Sequence, residues 1–258
     1  MKKAILAFCV LHSAFCISTA LARSPEQIAQ DLLILTNETG ILRLEHPWDR
    51  QDAFRAMLGG GMKPDELSAL LVSAAEALSK SKGVLDADAR RFAVSALGEF
   101  GTTNALPFLE RTMCEGDRFW ATAAMWATVN LSDREPLALQ RISSVLRDGR
   151  GGDASFHQEV YSRIAVSFDY GKPNAASRKA LCGFLVGLTA FETVAANDLD
   201  DLLCKVAPEF RESQERLRMA ARLARAERDK GVENGRFQML EMSLRVKLES
   251  SKQKKEDE

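Results

Sequence analysis

Apolar residues recur along this chain at spacings of three and four, interrupted by clusters of Gly, Pro, Asn and Asp. That period places them on one face of an α-helix, whereas a half-buried strand alternates every second residue. Ser24-Pro25-Glu26-Gln27 predicts a helix start, with Ser24 as cap, Pro25 in the first turn and acid toward the dipole. Ile28, Leu32, Leu33 and Leu35 continue that helix to about 37–40. Further helices are predicted over 49–58, 64–82, 86–100, 104–113, 117–131, 136–146, 154–170, 174–190, 198–207, 208–230 and 237–248. Gly59-Gly60-Gly61 reads as a helix break and 148–153 as a surface loop. The polar stretch 250–258 is predicted to be a disordered tail.

The turn Gly101-Thr102-Thr103-Asn104 is too short for anything but an antiparallel helix hairpin. Hairpins recur about every 30 residues, the signature of a helical solenoid. Ala89-Arg90-Arg91-Phe92-Ala93-Val94-Ser95-Ala96-Leu97-Gly98-Glu99-Phe100-Gly101, followed by Ala105-Leu106-Pro107-Phe108-Leu109, resembles one full HEAT repeat. Asp117-Arg118-Phe119-Trp120-Ala121-Thr122-Ala123-Ala124-Met125 resembles the opening of a second, departing at Trp126 where the first has Gly98. The resemblance covers about residues 86–135. It implies an all-α fold, an α-solenoid of antiparallel helix hairpins, and a concave surface used for binding proteins or peptides.

The N-terminus has a different pattern. Lys2 and Lys3 precede 19 uncharged residues, Ala4 to Ala22, that include Ile5, Leu6, Phe8, Val10, Leu11 and Phe15 and end in Ala20-Leu21-Ala22. This is the layout of a bacterial secretory signal peptide cleaved after Ala22, with an uncleaved membrane anchor as the competing reading. Phe8 and Phe15 precede Cys9 and Cys16, where lipidation requires a small residue. The expected organisation is a signal peptide over 1–22, a HEAT-like repeat domain over 23–207, long C-terminal helices over 208–249 and a tail over 250–258. The expected location is the periplasm or the extracellular space.

Composition narrows the picture. The 258 residues are 46% hydrophobic and 28% charged, which supports a folded chain, and only two Tyr and three Trp argue against a sheet protein. Loss of Lys2 and Lys3 takes 35 basic residues to 33 against 36 acidic ones, a net charge of −3. That balance points to no nucleic-acid partner and, after cleavage, no membrane. Cys114, Cys182 and Cys204 then remain, an odd number in an oxidising compartment; only a Cys182–Cys204 bridge is conceivable, should their helices be neighbours.

No residue set announces catalysis, a cofactor or a metal, so no catalytic, cofactor-binding or metal residue is assigned. The glycine clusters lack the Lys-Ser/Thr of a phosphate loop. His157-Gln158-Glu159-Val160-Tyr161 begins like a zinc-protease helix but has Tyr161 where the second His belongs, so His157 reads as a surface histidine. Asp198-Leu199-Asp200-Asp201 reads as helix capping by Asn197 or Asp198 rather than a calcium loop. Arg211, Arg218, Arg222 and Arg225 read as a solvated face laced by pairs such as Glu212 with Arg216, or as a stripe for an acidic partner. Phe119, Trp120 and Trp126 form the densest aromatic group; Phe119 and Trp120 point in different directions, so one of them can be exposed. The functional expectation is a non-enzymatic interaction or scaffolding module of the bacterial envelope. Its competitors are a structural or oligomeric protein assembling through its C-terminal helices, and an enzyme accessory.

Overall fold

The computed structural model describes residues 24–80, 83–115, 117–150, 153–170, 175–189 and 196–256. The predicted signal peptide and its cleavage site after Ala22 lie outside the described residues. Among the described residues every regular element is helical. None of those helices is long and apolar enough to cross a membrane.

The chain forms two compact units that divide at Gly151–Gly152, whereas the sequence places a boundary at 207/208. The first unit holds α1 (Pro25–Thr36), α2 (Pro47–Gly59), α3 (Pro64–Ser79), α4 (Val84–Phe100), α5 (Leu106–Met113), α6 (Arg118–Leu131) and α7 (Leu137–Ser144). Side chains cap two of them: Ser24 Oγ, the predicted cap of α1, accepts from Gln27 N–H at 3.3 Å, and Asp117 Oδ1 accepts from Phe119 N–H at 2.8 Å just before α6. The end of α7 departs from the predicted loop. It runs into one π-helical turn, Val145–Gly149, which keeps Val145 and Leu146 buried.

Alternate helices of this unit run parallel. Arg50 of α2 lies 3.3 Å over the Phe92 ring of α4, and Phe54 meets Phe100 edge-on at 5.4 Å. Arg90 of α4 stacks at 4.1 Å on Trp120 of α6, and Gly98 abuts Ala127. Likewise Thr102, ahead of α5, and Arg111, in its last turn, bond to Asp65 and Glu76 of α3. Thr103 and Glu110 meet Glu135 and Arg141 at α7. Thus α2, α4 and α6 form one row, and α3, α5 and α7 a second. Five polar links among α3 to α7 join residues 31 to 37 apart in sequence. Between the rows lies an apolar interior that includes Leu67, Leu71, Leu97, Leu106, Leu109, Met113 and Met125, all fully buried. Close approach within the row α4–α6 needs the hydrogen side chain of Gly98: a Cβ there would sit 3.0 Å from Ala127 Cα and 3.1 Å from its carbonyl oxygen.

The second unit holds α8 (Ala154–Tyr170), α9 (Ala175–Leu188), α10 (Ala196–Val206), α11 (Gln214–Asp229) and α12 (Arg236–Glu256). Here the single long helix predicted over 208–230 is broken. Pro208–Glu212 is a 3₁₀ turn pinned by buried Phe210; Ser213 is extended, and its hydroxyl accepts from Arg216 N–H at 3.0 Å to cap α11. The break also separates Glu212 from Arg216. Arg216 turns instead to Asp200, and Glu212 accepts from Lys247 at 3.1 Å. Arg236 reaches Asp201 at 2.7 Å, which ties the start of α12 to α10. Links between α9 and α11, and between α10 with its following turn and α12, span 33 to 36 residues. Helix α12 continues to Glu256, past the tail expected from Ser250; its last five residues are Lys, Gln and Glu, which favour helix.

Candidate interaction surface

Trp48, Leu85 and Phe119 are each the second residue of a helix, in α2, α4 and α6. These three helices are the parallel row, so their first turns point the same way along it. All three side chains face solvent: Trp48 is 73% exposed, Leu85 72% and Phe119 52%, with Val84 beside Leu85 at 81%. First turns ordinarily carry polar or acidic residues that meet the free N–H groups. Large apolar side chains there leave apolar surface uncovered in three successive helices.

Helix α6 extends this surface. Phe119, Thr122 and Trp126 share one face by their spacing of three and four, and Trp126 is 44% exposed. The opposite face carries Ala121, Ala124, Met125 and Thr128, all buried. Trp120 lies between the two faces, half-buried. Its ring meets Phe119 edge-on at 5.0 Å, and the Arg90 guanidinium covers it. Arg90 in turn bonds Glu115 at 3.2 Å. Phe119 therefore rests on a braced stack, which lowers the entropy lost when it meets a partner.

The other residues singled out by sequence fall elsewhere. His157 is fully buried, not at the surface: Phe156, Val160 and Ile164 take the same helix of α8 inward and carry it along. Asn197 and Asp198, the expected caps, lie inside α10, which already includes Ala196. Asp200 is fully buried, and its carboxylate takes two bonds from Arg216, at 2.8 and 2.7 Å. Among the described residues no group of three His, Cys, Asp or Glu is placed to hold a metal ion. Of the arginine stripe, Arg222 bonds the Val186 carbonyl and Thr189, while Arg218 and Arg225 stay exposed. Gly61 ends its cluster with a left-handed φ of 96°, which suits a helix break. Helices α9 and α10 are packed neighbours, yet Cys182 and Cys204 are free thiols. Burial, reinforced by Glu209 and Glu215, pushes the Cys182 thiol up to about 11; burial and Asp200 push Cys204 up as well. Both behave as small apolar side chains rather than nucleophiles.

The exposed residues Trp48, Val84 and Leu85 escaped the sequence reading. Their signal was positional: an apolar residue at the first or second position of a helix serves neither the cap nor the buried face.

Compared with family models, curated proteins and solved structures, the chain matches none. The class that the fold defines is therefore the broad one, an all-helical protein.

Proposed function

We propose that this chain is an exported, non-enzymatic interaction module, a HEAT-like α-solenoid that docks another protein or a peptide in the bacterial envelope. The observation that carries the proposal is the exposed apolar row at Trp48, Val84–Leu85 and Phe119, on successive parallel helices. Hairpins tied to their neighbours at separations of 31 to 37 residues support the solenoid reading, since repeat arrays contact mainly their neighbours. Residues 1–22 act as the signal peptide, and the mature chain begins at Arg23.

The test is site-specific photocrosslinking in the native envelope. A benzophenone at position 119 is expected to capture a defined partner, and Trp48→Ala with Leu85→Ala to weaken that capture by about tenfold or more. A photocrosslinker at the polar surface position Arg91 provides the control. Equal capture at both positions, or capture indifferent to the alanine changes, would sink the proposal. N-terminal sequencing of the exported chain tests the cleavage site separately.

A second reading, assembly through the C-terminal helices, has its own observation. Met239, Met242 and Val246 share one face of α12 and are 56%, 64% and 64% exposed. Sedimentation of the mature chain and of its Met242→Glu variant tests it. A self-associating chain that this change renders monomeric favours assembly, whereas a monomer in both cases removes it.

A further inference from the structure

The second unit contains a cavity of about 370 Å³ between the start of α9, the 3₁₀ turn Pro208–Glu212 and the first turn of α11. That volume lies within the usual range for small-molecule sites, roughly 300–1,000 Å³. Its apolar lining includes half-buried Cys182 and buried Phe210. Its charged lining is of both signs: Arg178 and Lys179 come from α9, Glu209 from the turn and Glu215 from α11.

These four charges share one cavity without pairing. Among the described residues, none of them takes part in a salt bridge or a side-chain hydrogen bond. Elsewhere in the unit several opposite charges do meet across elements: Arg216 pairs with Asp200, Arg236 with Asp201, Lys247 with Glu212 and Arg228 with Glu241. Three of the cavity charges act on a common point, since Glu209 and Glu215 raise the Cys182 thiol pKa while Arg178 lowers it. The lining is two positive and two negative, so a bare anion would meet the two glutamates and a bare cation the two basic groups. A molecule with one charge of each sign satisfies all four.

We propose that this cavity binds a small zwitterion, an amino acid or short peptide. Its ammonium group donates to Glu209 and Glu215, its carboxylate accepts from Arg178 and Lys179, and its side chain rests on Phe210 and Cys182. The cavity belongs to the second unit and the docking row to the first, and the two proposals rest on different observations.

Calorimetric titration of the full chain tests this with four probes: L-alanine, L-alanyl-L-alanine, N-acetyl-L-alanyl-L-alanine and L-alanyl-L-alanine amide. Saturable binding of at least one zwitterion is expected, and the first two arms tell an amino-acid site from a peptide site. For a peptide site, each blocked form is expected to bind about tenfold more weakly or worse. For an amino-acid site, both blocked dipeptides fail altogether. The bound zwitterion is also expected to slow alkylation of Cys182, followed by peptide mass spectrometry, while Cys114 is unaffected. Glu209→Gln and Arg178→Gln should each weaken binding about tenfold with the unfolding midpoint unchanged, because both side chains are exposed and unpaired. No saturable binding of either zwitterion overturns the assignment. So does equal binding of the blocked forms, or binding that leaves Cys182 alkylation unchanged.

Discussion

Truncating Asp200 should destabilise the second unit by about 3 kcal/mol. The carboxylate is fully buried, and the Arg216 side chain is only 15% exposed. Asp200→Ala removes both charge-assisted bonds, at 2.8 and 2.7 Å, and strands a buried cation. Breaking a buried pair from one side typically costs about 3–5 kcal/mol. The lower end applies because Arg216 Nη1 keeps its bond to the Arg211 carbonyl at 2.8 Å and the remaining exposure admits water. Urea unfolding followed by circular dichroism measures the loss. With a slope of about 2 kcal/mol per molar, the midpoint falls by about 1.5 M. A double-mutant cycle with Arg216→Met separates the pair from local packing. Adding Arg216→Met to Asp200→Ala is expected to recover part of the loss, since no buried charge then lacks a counterion. A loss below about 1 kcal/mol, or an Arg216→Met effect identical in both backgrounds, would refute the reasoning.

Two further changes follow from packing and from the thiols. Gly98→Leu places a branched side chain against the Ala127 backbone 3.0 Å away and should cost about 3 kcal/mol; an unchanged melting temperature would contradict the close approach of α4 and α6. Cys182, left as the only thiol by Cys114→Ser and Cys204→Ser, should react about a hundredfold more slowly at pH 7 than an ordinary exposed thiol, because a thiol titrating at about 11 rather than 9.0 carries about a hundredth of the thiolate. Its rate should climb as pH approaches 11, and a disulfide-exchange reagent read by absorbance checks both points. Since the folded thiol titrates above its unfolded value, its contribution to stability is complete below about pH 9 and is lost as pH rises toward 11.

The helices were legible in the sequence because their causes are local. Leu67, Leu70, Leu71, Ala74, Ala75 and Leu78 fall on one face by spacing alone, and all are buried. Ser24 and Asp117 cap where their residue types demand. The short turn between α4 and α5 also announced a reversal of direction. Less of the candidate surface was legible. The α6 aromatics stood out as a group, but only coordinates separate braced Trp120 from exposed Phe119 and Trp126.

What the tertiary structure alone decided was the fate of individual polar and breaking residues. Pro208 opens a helix by every local rule, yet burial of Phe210 ends that helix after one turn and Ser213 starts another. His157 reads as a surface side chain near a helix start and Asp200 as one acid of a capping cluster, but packing buries both. Helix periodicity is a property of neighbours three and four residues apart, so one segment suffices to reveal it. Burial, pairing and exposure depend on residues some 35 positions away, which only the folded chain brings into reach.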